Sequence, residues 1–293
     1  MTKEDHYMKK VGQFFFTFIP VILALTLQFA AAFFALGIGG MIQSLRNAGS
    51  AGASAGLLNN MMDLFSAREF STAIMLIYAL LVVMVFGLWY YIKYNGEYRV
   101  APKKLFHPLS LFGILLLIPG GQFVTSYIVS FTSLLFPKWL ENYERLIEDA
   151  GLTGSISILM IFYGVFIGPV AEELIFRGVT MRQAEKCLPF WAANIFQALL
   201  FGAYHMNMMQ GVYAFFVGLL LGFICRRAKI HNSILFHILF NAWGLLLPGL
   251  LNFTMTNTVA VIILVSTIVF FTCGMLCFYF GTKKMQNTAE VYE

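Results

Sequence analysis

The sequence predicts an all-α polytopic membrane bundle of about eight spans, with both termini cytoplasmic. Three observations carry this. Of 293 residues, 59% are hydrophobic and only 11% charged, and the mean hydropathy is +0.78, whereas soluble domains carry about 25% charged residues. Apolar runs of about 20 residues, each long enough to cross a bilayer as a helix, recur from one end of the chain to the other. Of the 19 Lys and Arg, all but Arg46, Arg68, Lys138 and Arg145 fall on one side of the resulting topology, as cytoplasmic loops require.

The first span is read at 13–39, behind a polar start with Lys3, Lys9 and Lys10. It is too long for the apolar segment of a signal peptide and is expected to be retained. Residues 40–70, rich in Gly, Ser, Ala and Asn, read as a flexible external loop with a short interfacial helix at 57–65. The second span, 71–92, leads into a basic loop with Lys93, Arg99, Lys103 and Lys104. The third, 109–136, contains Pro119-Gly120-Gly121, an expected kink. Residues 137–154 read as an acidic loop with Glu141, Glu144, Glu148 and Asp149.

Span four begins near Ser155 and runs to the turn at Leu188-Pro189. Span five is 190–206. Span six is 211–225, where Gly218 and Gly222 form a small-xxx-small pair that lets a neighbouring helix approach closely. Arg226, Arg227 and Lys229 close it. Span seven is 233–251 and span eight 258–280, with the tail beginning at Lys283-Lys284. No internal repeat is visible, and no polar stretch is longer than 40–70, too short for a soluble domain with its own core.

Composition excludes some functions. The net charge of +5 comes from residues at helix ends rather than a basic surface, so nucleic acid is not an expected partner. Cys187, Cys225, Cys273 and Cys277 form neither a CxxC motif nor a disulfide framework.

The polar residues inside the apolar spans point to chemistry. An ionised carboxylate in hydrocarbon costs several kcal/mol on most estimates, so intramembrane acids mark functional sites by default. Span four carries two in succession, Glu172 and Glu173. Glu173 and Arg177 are i,i+4 with the acid first, the better orientation for a helix ion pair. That leaves Glu172, about 100° round the helix, turned toward span five. If spans four and five are antiparallel about Leu188-Pro189, Glu172 and His205 lie equally far from the turn, at one depth. His237 and Asn241 share one face of span seven. Pro169 lacks the N–H that would bond the Val165 carbonyl, which loosens the backbone beside this layer.

The set suits hydrolysis by an activated water. A shielded carboxylate can serve as base, an imidazole opposite can orient the water, and His237 and the Asn241 amide can donate to a developing oxyanion. No serine or cysteine accompanies the set. A packing ion pair with interhelical polar contacts is the bland alternative. It leaves the shared depth of groups on several helices unexplained.

Glu172-Glu173-x-x-x-Arg177, Phe201-x-x-x-His205 and His237-x-x-x-Asn241 together resemble the three signature motifs of the CPBP family. These are the CAAX proteases and bacteriocin-processing enzymes, also called the Abi family. The resemblance covers about 159–247. It implies a catalytic core at 155–251, and the membrane region at 1–154 and the final span and tail at 252–293 rest on hydropathy alone, without support from the resemblance. It also implies an intramembrane endopeptidase in which Glu172 and His205 activate water, His237 and Asn241 stabilise the oxyanion, and Glu173 and Arg177 support them. No cofactor is expected; a metal-dependent version, with Glu172, His205 and His237 as zinc ligands, is less favoured because HExxH is absent. The implied substrate is a peptide or protein, lipidated or membrane-bound, met among lipids of the cell membrane. The alternative is a catalytically idle member serving immunity or partner binding.

Overall fold

The computed structural model describes residues 3–47, 68–94, 106–152, 156–247 and 256–290, and among these every regular element is a helix. The chain begins with α1 (Lys3–Phe16) and α2 (Ile19–Asn47). They are separated by a turn in which the Thr17 hydroxyl donates to the Phe14 carbonyl. Pro20 is the second residue of α2, where a missing N–H is harmless. The helix runs on past Gly39-Gly40 to Asn47, so the start of the expected external loop is helical. Two glycines cost about 1 kcal/mol each, too little to stop a helix whose apolar run continues through Met41 and Ile42. The interfacial helix expected at 57–65 lies outside the described residues.

Helix α3 (Arg68–Tyr94) is the second span, and most of the basic loop after it lies outside the described residues. Helix α4 (Pro108–Leu135) starts on His107, whose Nδ1 accepts from the Leu109 N–H. It is continuous through Pro119-Gly120-Gly121. Its glycines serve close approach: a Cβ on Gly113 would lie 2.4 Å from the Phe278 nitrogen, and one on Gly120 2.7 Å from the Phe271 nitrogen. The last helix, α9 (Asn257–Glu290), thus packs backbone to backbone on α4. It also carries the residues expected as a tail from Lys283, because good helix formers such as Lys, Met, Gln and Ala follow without a breaker.

The expected acidic loop is a helix, α5 (Pro137–Asp149). It opens with Pro137 and carries a Glu141–Arg145 i,i+4 ion pair. It ends only where Gly151 supplies φ 66°. There the Leu152 N–H reaches the Ile147 carbonyl at 2.9 Å, closing a Schellman motif. Hydropathy misread it because its apolar side is narrow. Phe136 stacks on Trp139 at 4.2 Å, and the Tyr143 hydroxyl meets that of Tyr213 at 3.1 Å.

Span four is α6 (Ile158–Ala184), capped by Ser157. It widens to a π-helix at Phe162–Ile167 and again at Leu174–Thr180. The first widening ends at Pro169's turn, where the Gly168 N–H bonds the Tyr163 carbonyl five residues back. Such bulges are frequent at functional sites. Span five is α7 (Phe190–Tyr204).

Helix α8 (Met208–Leu246) contains two non-helical residues, Ala228 and Lys229, the latter at φ 69°, ψ 168°. The chain reverses there. The Ser233 hydroxyl lies 3.0 Å from the Leu221 carbonyl, whereas residues 12 apart in a straight helix are about 18 Å apart. The halves 208–227 and 230–246 are therefore the expected spans six and seven, although 248–251 lie outside the described residues. Gly222 lets α7 in: a Cβ there would overlap Asn194 Oδ1 at 1.9 Å.

Among the described residues, six helices are long and apolar enough to cross a membrane. With the shorter α7, and α8 counted as two halves, they give the eight segments that the sequence predicts. Helix α6 is the axis: every residue of Leu174–Thr180 is buried, against a core that includes Phe86, Phe201, Leu221 and Phe236. Large apolar side chains such as Phe33, Leu134 and Trp191 face outward, as lipid contact requires.

Candidate functional site

Adjacent positions on α6 send Glu172 and Glu173 to different surroundings. Glu173 is fully buried and every oxygen has a donor. Its Oε1 lies 2.8 Å from Arg177 Nη1 and 3.0 Å from His237 Nδ1, and its Oε2 lies 2.5 Å from the Ser233 hydroxyl. Arg177 is equally buried. Its Nη2 donates to the Gly218 carbonyl at 3.2 Å, and its guanidinium stands 4.4 Å from the Phe201 ring centroid. The expected Glu173–Arg177 pair thus exists, and it also holds the α8 hairpin against α6.

The expectation that no serine accompanies the set needs correction. Ser233 lies one turn before His237, on the same face. Its hydroxyl has one proton and two close acceptors, Glu173 Oε2 and the Leu221 carbonyl. That engagement makes it an anchor for the carboxylate.

His237 links the two glutamates. Its Nδ1 is on Glu173, and its Nε2 lies 3.6 Å from Glu172 Oε2. That second separation is too long for a direct hydrogen bond. Glu172 is the accessible member of the pair, with 21% of its side chain exposed. It lines a cavity of about 50 Å³ with Gln28, Tyr78, Tyr163 and Tyr204. The hydroxyls of Tyr78 and Tyr204 are hydrogen-bonded to each other.

The other two expected residues are placed differently. His205 caps α7, with Nδ1 2.8 Å from the Phe201 carbonyl and its ring edge-on to Phe201. Among the described residues it makes no ion pair with Glu172. Its neighbour Tyr204 lines the cavity that Glu172 lines, so the two helices do present this level to each other. Met206, at φ 52°, turns the chain sharply after it. Asn241 Nδ2 donates to the Gly164 carbonyl at 3.0 Å, tying α8 to the first π-turn of α6. Glu172, Glu173, Arg177 and His237 are therefore one contact group, with His205 and Asn241 at its edges.

Sequence reasoning missed Ser233, Gln28, Tyr78, Tyr163 and Tyr204. Ser233 alone left a signal, at the head of the spacing Ser233, His237, Asn241. Among the described residues no three His, Cys, Asp or Glu side chains are grouped to hold a metal ion.

Residues 154–243 match the family described as type II CAAX prenyl endopeptidase Rce1-like. No curated protein and no solved structure matches the chain. The matched segment holds α6, α7 and most of α8, and with them Glu172, Glu173, Arg177, His205, His237 and Asn241. Gln28 and Tyr78 lie outside it. The chain is an integral multi-pass membrane protein, and its residues 154–243 are similar to the type II CAAX prenyl endopeptidase Rce1-like family.

Proposed function

We propose that the protein is an intramembrane endopeptidase that hydrolyses a peptide bond with water activated at Glu172. The observation that carries this reading is His237, held on Glu173 through Nδ1 and aimed at Glu172 through Nε2. A merely structural ion pair needs Glu173 and Arg177, and it gives no reason for a second carboxylate facing a polar cavity.

In this mechanism Glu172 takes a proton from water as the oxygen attacks the scissile carbonyl carbon. His205, through the nitrogen not bonded to Phe201, orients that water. His237, in the form carrying a proton on both ring nitrogens so that Nδ1–H stays on Glu173 and Nε2–H is free, and the second N–H of the Asn241 amide donate to the oxyanion. Collapse breaks the C–N bond, and Glu172 returns its proton to the leaving amine. Glu173 fixes the His237 ring, while Arg177 and Ser233 fix Glu173. No metal enters the scheme.

The substrate is a peptide or protein that reaches the site from the membrane, lipidated or membrane-bound, as a CAAX-type protease core requires. The basic residues Arg182 and Lys186 around the end of α6, with Arg226 and Arg227 at the turn within α8, support access from the cytoplasmic side.

The test compares the termini of membrane-associated peptides in cells expressing the wild type or Glu172→Gln at matched levels. Specific termini that vanish in the variant support the protease and name its substrate. Identical profiles alongside a lost cellular phenotype would instead favour an idle immunity or partner-binding protein.

A further inference from the structure

We infer that the cavity beside Glu172 stores the hydrolytic water, and that Gln28 and Tyr78 are positioning residues that hold this water against the carboxylate. The inference rests on the hydrolytic reading of Glu172. It assigns a role in the site to two helices outside the family-matched segment.

Four polar side chains converge on Glu172 from four helices: Gln28 from α2, Tyr78 from α3, Tyr163 from α6 and Tyr204 from α7. Turning polar groups inward in so apolar a bundle is unfavourable unless they meet hydrogen-bonding partners. Here they meet one another and a shared space. Tyr78 and Tyr204 bond hydroxyl to hydroxyl. Two hydroxyls own two protons and their mutual bond uses one, so the pair still offers a donor and several lone pairs. The Gln28 amide offers an acceptor and two donors. A buried water needs two to four such partners, and this wall supplies them.

Size decides the occupant. The cavity's 50 Å³ has room for a few waters, at about 10–15 Å³ each. Ligand pockets run to roughly 300–1,000 Å³, so a peptide side chain or a lipid would need the helices to part. Each turnover consumes one water, whose proton passes to Glu172 and whose oxygen enters the new carboxylate. A site set among membrane helices is separated from bulk solvent, so each replacement has to travel in. A store walled by Gln28 and the Tyr78–Tyr204 pair keeps the next water within reach of Glu172.

The experiment uses the full-length protein as wild type, Glu172→Gln, Gln28→Leu and Tyr78→Phe. The last two remove polar atoms with little change of shape. Abundance of the Glu172-dependent peptide termini is measured in cells at matched expression and compared with the melting temperature of each purified variant. A high-resolution cryo-EM map of wild type and Gln28→Leu reports the water itself, which a purely structural role for Gln28 would not move. The expected result is an approximately tenfold fall in those termini for both variants at near wild-type melting temperature. A water peak should also lie within hydrogen-bond distance of Glu172 and Gln28, and be lost in Gln28→Leu. Wild-type termini in both variants, or a dry cavity in the wild-type map, overturns the inference alone. The absence of any Glu172-dependent termini overturns the hydrolytic reading and the inference with it.

Discussion

Arg177 and Glu173 are both fully buried and meet at 2.8 Å, one turn apart on α6. The cation is spent on this carboxylate and on the Gly218 carbonyl, so the group facing the cavity is Glu172. Adjacent residues thus hold a paired, buried acid and an accessible one in different surroundings.

Arg177→Leu should therefore be costly. Removing one partner of a buried pair leaves an uncompensated charge, worth about 3–5 kcal/mol. Thermal unfolding of the purified protein should show a large loss. The double variant Arg177→Leu/Glu173→Gln should lie closer to wild type than Arg177→Leu alone. A single variant as stable as wild type would contradict the pairing.

Ser233→Ala removes a hydrogen bond to a charged acceptor, worth about 1.5–3 kcal/mol. Stability should fall by about that amount and peptide processing should drop without vanishing, since Glu173 keeps Arg177 and His237. Fluorophosphonate should not label the wild type. Labelling at Ser233, or complete loss of processing in a folded variant, would make the serine a nucleophile.

Processing should survive EDTA and 1,10-phenanthroline, and elemental analysis should find no stoichiometric zinc in active protein. One zinc per chain, with activity restored by adding it back after removal, would replace this mechanism with a metal-dependent one.

Gly113→Ala should disturb the α4–α9 contact, because the added Cβ would press on the Phe278 backbone at 2.4 Å. Backbone cannot swing aside, so an overpacking cost of about 1–3 kcal/mol is expected. A melting temperature equal to wild type would show that α9 can move off freely.

Much of the fold was legible because long apolar segments and loop charge are one-dimensional signals. The Glu173–Arg177 pair and the close approach at Gly222 were legible for a similar reason, since both follow from spacing along a single helix. Helix α5 was not. Its thirteen residues are too polar for a span, and hydropathy does not separate an amphipathic surface helix from a loop. Nor could spacing reveal that Ser233 meets Glu173 sixty positions away, or that Tyr78 meets Tyr204. Such contacts exist only once helices are placed beside one another. His205 marks the limit of the depth argument, which aligned levels on α6 and α7 but could not say that the ring would turn to the Phe201 carbonyl.

The reversal at Ala228 and Lys229 also constrains how this protein can be made and varied. The halves of α8 are joined by two non-helical residues, so there is no loop in which extra sequence could accumulate. The two halves form one tight hairpin, and the hydrogen bond from Ser233 back to Leu221 closes it from within. An epitope or an accessory domain spliced at this turn would separate Gly218, which receives Arg177, from Ser233 and His237, which receive Glu173. Additions to a chain of this design have to be carried elsewhere.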